Sequence, residues 1–202
     1  MPRRAPSAAN RTTLSSYERG AADYDEVCKD NPSPEVRAPL QRMLAQLPPG
    51  CAILEIGSGP GRDADFVESL GAQVHRTDAT QAFVDIQSRR GRHAERLDVL
   101  SDPLGGPYDG VLALCTLMHI ERAHTDFVLD KIRHATRPDG AFLVSMFEGH
   151  GETRGNYLTT CWSHAGFATR LEKAGFRIEA SERRTSSRGD VWMTFLCRRV
   201  PQ

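Results

Sequence analysis

The sequence predicts an α/β fold in which a doubly wound, mostly parallel sheet carries helices on both faces. Three observations predict it. Apolar strand-like runs alternate with helical patterns between residues 51 and 174. A glycine-rich turn follows the first of those runs, at the edge where such sheets bind nucleotides. Two β-rich runs end the chain and are joined by TSSRG, a length that suits an antiparallel hairpin at the edge of the sheet.

The composition favours one compact domain without a strong electrostatic attraction to other macromolecules. The chain has 202 residues, 39% of them hydrophobic, and its 26 basic and 26 acidic residues balance to a net charge of zero. We therefore expect neither a nucleic-acid partner nor a membrane partner. No apolar run approaches the roughly 20 residues that span a bilayer. The five cysteines are widely spaced without a metal-binding pair, which favours a cytoplasmic location and no metal.

The predicted organisation is a short tail followed by a single domain. Residues 1–14 are polar, contain prolines and lack periodicity, so we expect a flexible tail. Residues 15–48 carry two helical patterns, YERGAADYDEV and VRAPLQRMLAQL, and are expected to form a helical lid on a core that spans residues 49–202. Pro39 interrupts the second pattern and predicts a helix that begins or bends near it.

The core is expected to alternate strands and helices. Strands are predicted at CAILEI, AQVHRTD, AERLDV, YDGVLALCTLM and GAFLVSMF, because each is a short run rich in apolar or β-branched residues. Helices are predicted at Arg62–Leu70, Gln81–Arg90, Asp126–Thr136 and Trp162–Ala174, and glycines at positions 71 and 175 end the first and the last. The stretch EGHGETRGN is rich in glycine and is predicted to be irregular.

The glycine turn that follows CAILEI disfavours two familiar phosphate ligands. Gly57, Gly59 and Gly61 lie in the sequence IGSGPGRD. A nucleoside-triphosphate loop needs Lys and then Ser or Thr after its last glycine, and this chain has Arg62 and Asp63 there. A dinucleotide-binding turn needs its third glycine at the position of Arg62. The ligand is therefore expected to lack a pyrophosphate.

Two acidic residues at later strand ends favour an adenosine. Asp78 ends the second strand, 21 residues after Gly57, where a carboxylate can accept hydrogen bonds from both ribose hydroxyls. Asp98, or its neighbour Val99, lies near the end of the third strand, where an adenine amino group could be recognised. A solvated acid at the strand end is the alternative for Asp98. Together these positions suit S-adenosylmethionine.

Five motifs then occur in the order and spacing of a known family. EIGSGPG with Asp78, LDV around Asp98, YDGVLALCTLMHI, RPDGAFLVS and LEKAGFRI resemble the successive motifs of small-molecule class I S-adenosylmethionine-dependent methyltransferases. The resemblance implies a Rossmann-like, seven-stranded sheet of order 3-2-1-4-5-7-6 with strand 7 antiparallel, and an N-terminal helical lid. It also implies metal-independent, in-line methyl transfer from S-adenosylmethionine to an O, N or C atom of a small-molecule acceptor, with S-adenosylhomocysteine as product.

The same resemblance implies which residues hold the cofactor. They lie on the lid, in the glycine turn and at the strand ends, and are Tyr17, Tyr24, Glu55, Gly57, Ser58, Gly59, Gly61, Arg62, Asp78, Ala79, Asp98, Val99, Leu114, Cys115 and His119. Ordinary packing within the helix is an equal alternative for Tyr17 and Tyr24.

Candidate catalytic and acceptor-binding residues follow the fourth and fifth strands. His119 and His150 could accept a proton from an alcohol, phenol or ammonium acceptor; a structural histidine and an exposed loop histidine are the respective alternatives. Tyr157, Trp162 and His164 fall where the family builds acceptor pockets, although Trp162 equally suits a core position.

Two further functions are retained as alternatives. One is a binding module of the same fold that holds S-adenosylmethionine without catalysis. The other is a nicotinamide-dependent oxidoreductase, which Arg62 in the third-glycine position and the terminal hairpin disfavour. No residue pattern identifies the acceptor or the oligomeric state.

Overall fold

A computed structural model describes residues 7–29 and 32–201. Within these residues the helices are α1 (Ala8–Val27), α2 (Pro34–Leu44), α3 (Arg62–Ser69), α4 (Gln81–Arg89), α5 (Arg122–Ala135) and α6 (His164–Lys173). The strands are β1 (Ala52–Ile56), β2 (Gln73–Asp78), β3 (Ala94–Arg96), β4 (Tyr108–Leu114), β5 (Thr136–Phe147), β6 (Gly151–Arg154), β7 (Leu158–Cys161), β8 (Phe176–Thr185) and β9 (Val191–Arg199). A short 3₁₀ turn, Leu117–His119, follows β4. None of the described helices is long and apolar enough to cross a membrane.

Seven of these strands form one sheet in the order β3-β2-β1-β4-β5-β9-β8. The first five are parallel to one another, whereas β9 runs antiparallel to both β5 and β8. When only the strands of this sheet are counted, the order is 3-2-1-4-5-7-6. The fold predicted from the sequence is confirmed.

The order of the strands places a crevice between β1 and β4. The chain moves outward from β1 through β2 to β3 and then returns to the other side of β1 to form β4. The connections that leave the carboxyl ends of β1 and β4 therefore diverge, and the space between them is where open α/β sheets bind ligands.

Each face of the sheet is covered by its own helices because neighbouring residues of a buried strand point to opposite sides. Leu54 and Phe142 lie in a core cluster with Ile132 of α5, while Ile53 and Leu143 lie in a second cluster on the other face with α2 and α3. These continuous apolar runs are typical of a parallel sheet that is buried on both faces.

Helix α1 begins earlier than the sequence analysis expected. The predicted tail covered residues 1–14, but residues 8–14 are helical and residues 1–6 lie outside the described part of the chain. Ser7 caps the helix, since its hydroxyl accepts from the Asn10 N–H at 3.2 Å and the Asn10 side chain accepts from the Ser7 N–H at 3.3 Å. This reciprocal cap uses Asn where the usual motif has Glu or Gln. Pro39 lies inside α2 and does not mark its start.

The prediction that EGHGETRGN is irregular was wrong. Strand β6 lies within it and pairs with β7 to form a separate antiparallel hairpin. The hairpin is fixed by tertiary contacts: the Leu158 N–H donates to the Thr13 hydroxyl at 2.7 Å, and the Thr160 hydroxyl donates to the Ile120 carbonyl at 2.7 Å. Because these partners are distant in the sequence, local composition did not indicate the strands.

Candidate functional site

Two adjoining cavities open at the carboxyl ends of the parallel strands. The first cavity lies beside β1, β2 and the turn after β3, beneath α1. The second lies over β5, β8 and β9, next to α2 and the start of α3. The two cavities share five lining residues, Tyr24, Gly57, Gly59, Leu114 and Cys115. These shared residues define the junction through which the cavities communicate.

The turn between β1 and α3, called the glycine loop below, needs glycine for steric reasons. Gly57, Gly59 and Gly61 have φ angles of 72°, 53° and 82°, a region that other residues adopt at a cost. A Cβ atom on Gly57 would lie 2.2 Å from the hydroxyl oxygen of Thr116, which follows β4. At Gly59 an added Cβ would meet only Tyr24, at 3.9 Å, so the backbone there faces open space.

Three side chains that line neither cavity hold the carbonyl groups of residues 59–61. Gln87 donates to the first carbonyl at 2.8 Å, Arg90 to the second at 2.5 Å and Arg76 to the third at 3.4 Å. Gln87 and Arg76 are almost fully buried. The loop is therefore held by β2 and α4, with no ligand needed to satisfy these carbonyls. None of these three residues was predicted from the sequence.

Asp78 is held at the end of β2 by two backbone amides. One carboxylate oxygen accepts from the Gly59 N–H and the other from the Thr80 N–H, both at 2.8 Å. Burial raises the pKa of Asp78, while the two amides act in the opposite direction. Each oxygen can accept a further hydrogen bond, and Asp78 lines the first cavity. The residue is therefore fixed as an acceptor for hydroxyl groups.

Asp98 also lines the first cavity and is not a freely solvated acid. Its carboxylate accepts from the Leu100 N–H at 2.9 Å, and its own N–H donates to Asp102 at 2.9 Å. Lys131 donates to the carbonyl groups of Val99 and Asp102 at 2.5 and 2.6 Å. Burial raises the pKa of Asp98. The turn that carries Asp98 and Val99 is thus tied to α5.

His119 lies between α1 and the β6–β7 hairpin, and its surroundings fix its tautomer. Nδ1 lies 2.7 Å from the Leu158 carbonyl oxygen, which can only accept, so Nδ1 carries the proton. Burial lowers the pKa of His119 and favours the neutral ring. Nε2 then accepts from the Tyr17 hydroxyl at 2.9 Å. Its basic lone pair is thus already occupied by the lid helix.

Helix α1 covers the first cavity through aromatic and polar contacts. The rings of Tyr17 and Tyr24 pack against Phe83 of α4, with centroid distances of 5.8 and 5.5 Å. Asn10 donates to the His119 carbonyl at 2.7 Å. Burial raises the pKa of both tyrosines, so their hydroxyls stay protonated at neutral pH. Tyr17 lines the first cavity and Tyr24 lines both.

Two carboxyl groups lie near the start of the glycine loop. Glu55 is 4% exposed, and one of its oxygens has no hydrogen-bond partner within the described chain. Burial, reinforced by the nearby Asp63, raises the pKa of Glu55 to about 8. Burial also raises the pKa of Asp63 to about 6. Asp63 lines the second cavity, whereas Glu55 lines neither.

The floor of the second cavity is a polar patch on the sheet. Ser145 of β5 pairs in register with Thr194 of β9, which places their side chains on one face. Cys115 lies beside them with a φ angle of 55°, and its N–H donates to the Ser145 hydroxyl at 3.1 Å. Desolvation raises the pKa of the Cys115 thiol to about 11. Trp192 and Arg184 complete this side of the cavity.

The structure brings most of the predicted cofactor residues together. Those that line the first cavity are Tyr17, Tyr24, Gly57, Gly59, Asp78, Ala79, Asp98, Val99, Leu114, Cys115 and His119. Ser58 and Arg62 line only the second cavity. Gly61 and Glu55 line neither, because Gly61 packs against Gln87 and Arg76 and Glu55 is buried beneath the loop.

The predicted acceptor residues lie elsewhere. Trp162 is 6% exposed in the core, and its ring lies between Arg122 and Arg170, whose guanidinium carbons are 3.4 and 3.8 Å from the ring centroid. Tyr157 packs on Tyr17, with ring centroids 4.8 Å apart. Neither Trp162 nor Tyr157 lines the first or the second cavity.

The two other histidines predicted for the site, His164 and His150, also lie outside these two cavities. His164 begins α6 and packs against Phe195, with ring centroids 4.7 Å apart, and its Nε2 lies 3.1 Å from the Ser181 hydroxyl. His150 is exposed between β5 and β6. Of the two predicted bases, only His119 borders a cavity.

Comparison with known proteins agrees with this geometry. Residues 54–142 match the family described as methyltransferase domain. The 1,6-didemethyltoxoflavin-N1-methyltransferase of Burkholderia thailandensis, solved with 1,6-didemethyltoxoflavin and S-adenosylhomocysteine, has a TM-score of 0.79 and 23% identity, over 100% of this chain and 93% of that one. The magnesium protoporphyrin IX methyltransferase of Synechocystis PCC 6803, solved with S-adenosylmethionine, has a TM-score of 0.78 and 17% identity, over 97% and 99%.

A protein with another activity shares the same fold. A [4+2]-cyclase has a TM-score of 0.76 and 14% identity, over 99% of each chain. No curated protein matches this sequence. At such identities the structural likeness establishes the fold alone, so the reaction must be argued from the site.

Proposed function

Since the chain has the fold of the class I S-adenosylmethionine-dependent methyltransferases and matches the methyltransferase domain over residues 54–142, we propose that it transfers a methyl group from S-adenosylmethionine to a small molecule. The donor occupies the first cavity and extends to the junction. The acceptor enters through the second cavity and meets the methyl group near Cys115. The acceptor atom, O, N or C, is not specified by the residues present.

The lining of the first cavity is the observation that supports a nucleoside donor. No lysine or arginine is among the described residues that line it, so a pyrophosphate would find no cation there. The walls are instead apolar or aromatic, with Phe83, Leu97 and Val99 as examples, and suit a purine ring. Asp78 provides a fixed acceptor for ribose hydroxyls. The residues present therefore fit S-adenosylmethionine better than a nicotinamide dinucleotide.

The sulfonium of bound S-adenosylmethionine supplies an already activated methyl group, so the protein mainly aligns the reactants and excludes water. In such a transfer the acceptor atom would donate an electron pair to form the new bond to the methyl carbon. The bonding pair of the broken carbon–sulfur bond would stay on sulfur, which leaves neutral S-adenosylhomocysteine. An acceptor that carried a proton releases it to water or to a carboxylate of the second cavity. Asp63 is one such carboxylate, and its raised pKa of about 6 suits proton exchange near neutrality.

His119 has a positioning role in this proposal. Its Nε2 is occupied by Tyr17 and its Nδ1 by the Leu158 carbonyl, and it does not line the second cavity. The histidine therefore holds α1 against the β6–β7 hairpin over the donor. A direct base role would require the Tyr17 hydrogen bond to break first.

A binding module of the same fold remains the second candidate function. The observation that favours it is the fold shared with a [4+2]-cyclase, because this fold does not by itself specify methyl transfer. Both functions require S-adenosylmethionine to bind in the first cavity. They differ in whether a molecule bound in the second cavity gains a methyl group.

Calorimetry with S-adenosylhomocysteine and with NADH tests the donor assignment. We expect binding of S-adenosylhomocysteine only. Asp78→Asn should weaken that binding about 10- to 100-fold, because Asn keeps one acceptor oxygen and the ribose loses one charge-assisted hydrogen bond of about 1.5–3 kcal/mol. Asp85→Asn, on the exposed face of α4, is the matched control and should leave the affinity unchanged.

A screen of candidate acceptors with S-adenosylmethionine and mass detection tests catalysis. A product heavier than its acceptor by one methylene group would support methyl transfer. Binding of NADH alone, or equal affinities of the Asp78 variant and the wild type for S-adenosylhomocysteine, would contradict the proposed donor site.

A further inference from the structure

We propose that the second cavity binds a planar acceptor that carries an anionic group, with its ring against Trp192 and its anion on Arg184. The proposal rests on the function given above, since it assigns the chemistry of that function's acceptor. It moves the acceptor site from Tyr157, Trp162 and His164 to the hairpin formed by β8 and β9.

Trp192 provides an aromatic wall of fixed orientation. It lies on β9, half-buried, and its ring packs against Phe147 of β5 with a centroid distance of 4.0 Å. The indole lines the second cavity together with the hydroxyl groups of Ser145 and Thr194. An aromatic surface with a few fixed hydroxyls beside it is typical of sites for planar ligands.

Arg184 stands next to that wall. It is the ladder partner of Trp192 across the β8–β9 pair, so both side chains emerge on the same face of the sheet. Its guanidinium makes no hydrogen bond to the part of the chain that the structure describes. Its contact with the Glu35 carboxylate is 3.6 Å long, and both side chains are about half exposed, 48% and 55%. An exposed pair of this length contributes little and is readily exchanged for another anion.

The other arginines of the cavity differ from Arg184. Arg183 donates through two nitrogens to Glu148, and Arg62 donates to Asp25 at 2.5 Å. The buried Nε of Arg62 has no partner among the described residues, but the guanidinium of Arg62 is held by Asp25. Of the three arginines of this lining, Arg184 is the one whose guanidinium makes no hydrogen bond within the described residues and is about half exposed, so all of its donors can turn to a ligand. A guanidinium with a free edge suits a carboxylate or phosphate, to which it can donate two parallel hydrogen bonds.

The acidic residues that line the second cavity do not cancel the attraction of Arg184 for an anionic ligand. Glu182 is paired with Arg42 at 2.6 Å. Burial raises the pKa of Asp63 to about 6, which reduces its negative charge in mildly acid solution. Glu35 is about half exposed and pairs with Arg184 itself. The charge of Arg184 also lowers the pKa of the Cys115 thiol against the larger effect of burial, so its field reaches the junction of the cavities.

The two tryptophans allow a direct test, because Trp162 and Trp192 are the two in the chain. In a Trp162→Phe background, the fluorescence of Trp192 reports occupancy of the second cavity. The probes are benzoate and benzamide, which share a planar ring and differ in charge, added at constant ionic strength with S-adenosylhomocysteine present. We expect benzoate to quench Trp192 and to bind at least fivefold more tightly than benzamide.

Two arginine variants of the same strand separate the site from general charge effects. Arg184→Gln should lower the affinity for benzoate to that for benzamide. Arg177→Gln, which changes an exposed arginine of β8 paired with Glu179, should leave the fivefold preference intact. Calorimetric titration of the wild-type chain with both probes repeats the comparison without the Trp162 substitution.

Equal affinities for the two probes, or a benzoate preference that survives Arg184→Gln, would overturn the anion site. If neither benzoate nor benzamide binds the wild-type chain, the aromatic site is overturned as well. Binding of S-adenosylhomocysteine is measured in the same samples. If the chain binds S-adenosylhomocysteine and shows no benzoate preference, the acceptor proposal fails and the donor site stands; if S-adenosylhomocysteine does not bind, the proposed function fails.

Discussion

Replacing Arg90 by alanine tests how the glycine loop is held for its ligand. The guanidinium of Arg90 donates to the Pro60 carbonyl at 2.5 Å and pairs with Asp65. A hydrogen bond to a charged group is worth about 1.5–3 kcal/mol when its partner is poorly solvated. The Arg90 side chain is 28% exposed, so solvent can partly replace the bond, and we take the lower limit. A loss of ~1.4 kcal/mol in the bound loop conformation corresponds to a tenfold weaker Kd for S-adenosylhomocysteine.

Arg92→Ala is the matched control for this substitution. Arg92 lies 3.0 Å from Asp65 and 3.6 Å from Glu68, but it makes no contact with the loop carbonyls among the described residues. Its side chain is 46% exposed, and such an ion pair contributes about 0–1 kcal/mol. Calorimetry gives the Kd of each variant, and thermal unfolding gives its stability.

We expect the Arg90 variant to lose affinity while both variants unfold within a few degrees of the wild type. Hydrogen exchange of the loop amides should accelerate in the Arg90 variant alone. If the two variants bind S-adenosylhomocysteine equally well, the carbonyl contact does not organise the loop and the reasoning is refuted.

Two further predictions concern stability. Glu55 binds its proton more tightly in the folded chain, with a pKa raised from 4.5 to about 8, so its contribution to stability is lost as pH rises through this range. Between pH 6 and pH 8 the free energy of unfolding of the wild type should fall by roughly 2 kcal/mol more than that of Glu55→Gln, at ~1.4 kcal/mol per pKa unit. Superimposable pH profiles of Tm for the two proteins would contradict this. Tyr17→Phe keeps the ring contacts but leaves Nε2 of His119 unpaired, which should cost about 1–3 kcal/mol of unfolding free energy and lower Tm by roughly 2–12 °C. An unchanged Tm would show that water replaces the hydroxyl.

The order of the strands could be predicted because hydrophobic periodicity and family motifs agree over the core. The apolar runs around Leu54, Val111 and Phe142 are long enough to identify buried strands. The start of α1 could not be predicted in this way, since its first turns are polar and are stabilised by Asn10 and Thr13 bonding to distant residues. The β6–β7 hairpin was missed for the same reason.

The geometry of the candidate site could be predicted where the backbone requires particular residues. The glycine loop and Asp78 belong to this group, because positive φ angles and a strand-end carboxylate leave a local pattern. No local pattern indicated Arg90 and Gln87, because a polar side chain on a helix cannot be assigned from sequence alone to the side that faces the loop or to the side that faces solvent. The sequence does not distinguish a core tryptophan from one that lines a cavity. The packing shows that Trp162 is buried in the core and that Trp192 lines the second cavity.

The separation of the two cavities has an evolutionary consequence. The strands β1, β2 and β4 and the turn after β3 line the first cavity, whereas Thr194, Trp192 and Arg184 of the second belong to the terminal hairpin. Under the proposed assignment, substitutions in that hairpin would alter which molecule is methylated while the donor contacts stay in place. Acceptor preference would then change through β8 and β9 alone, and libraries confined to those strands are the natural starting point for changing it.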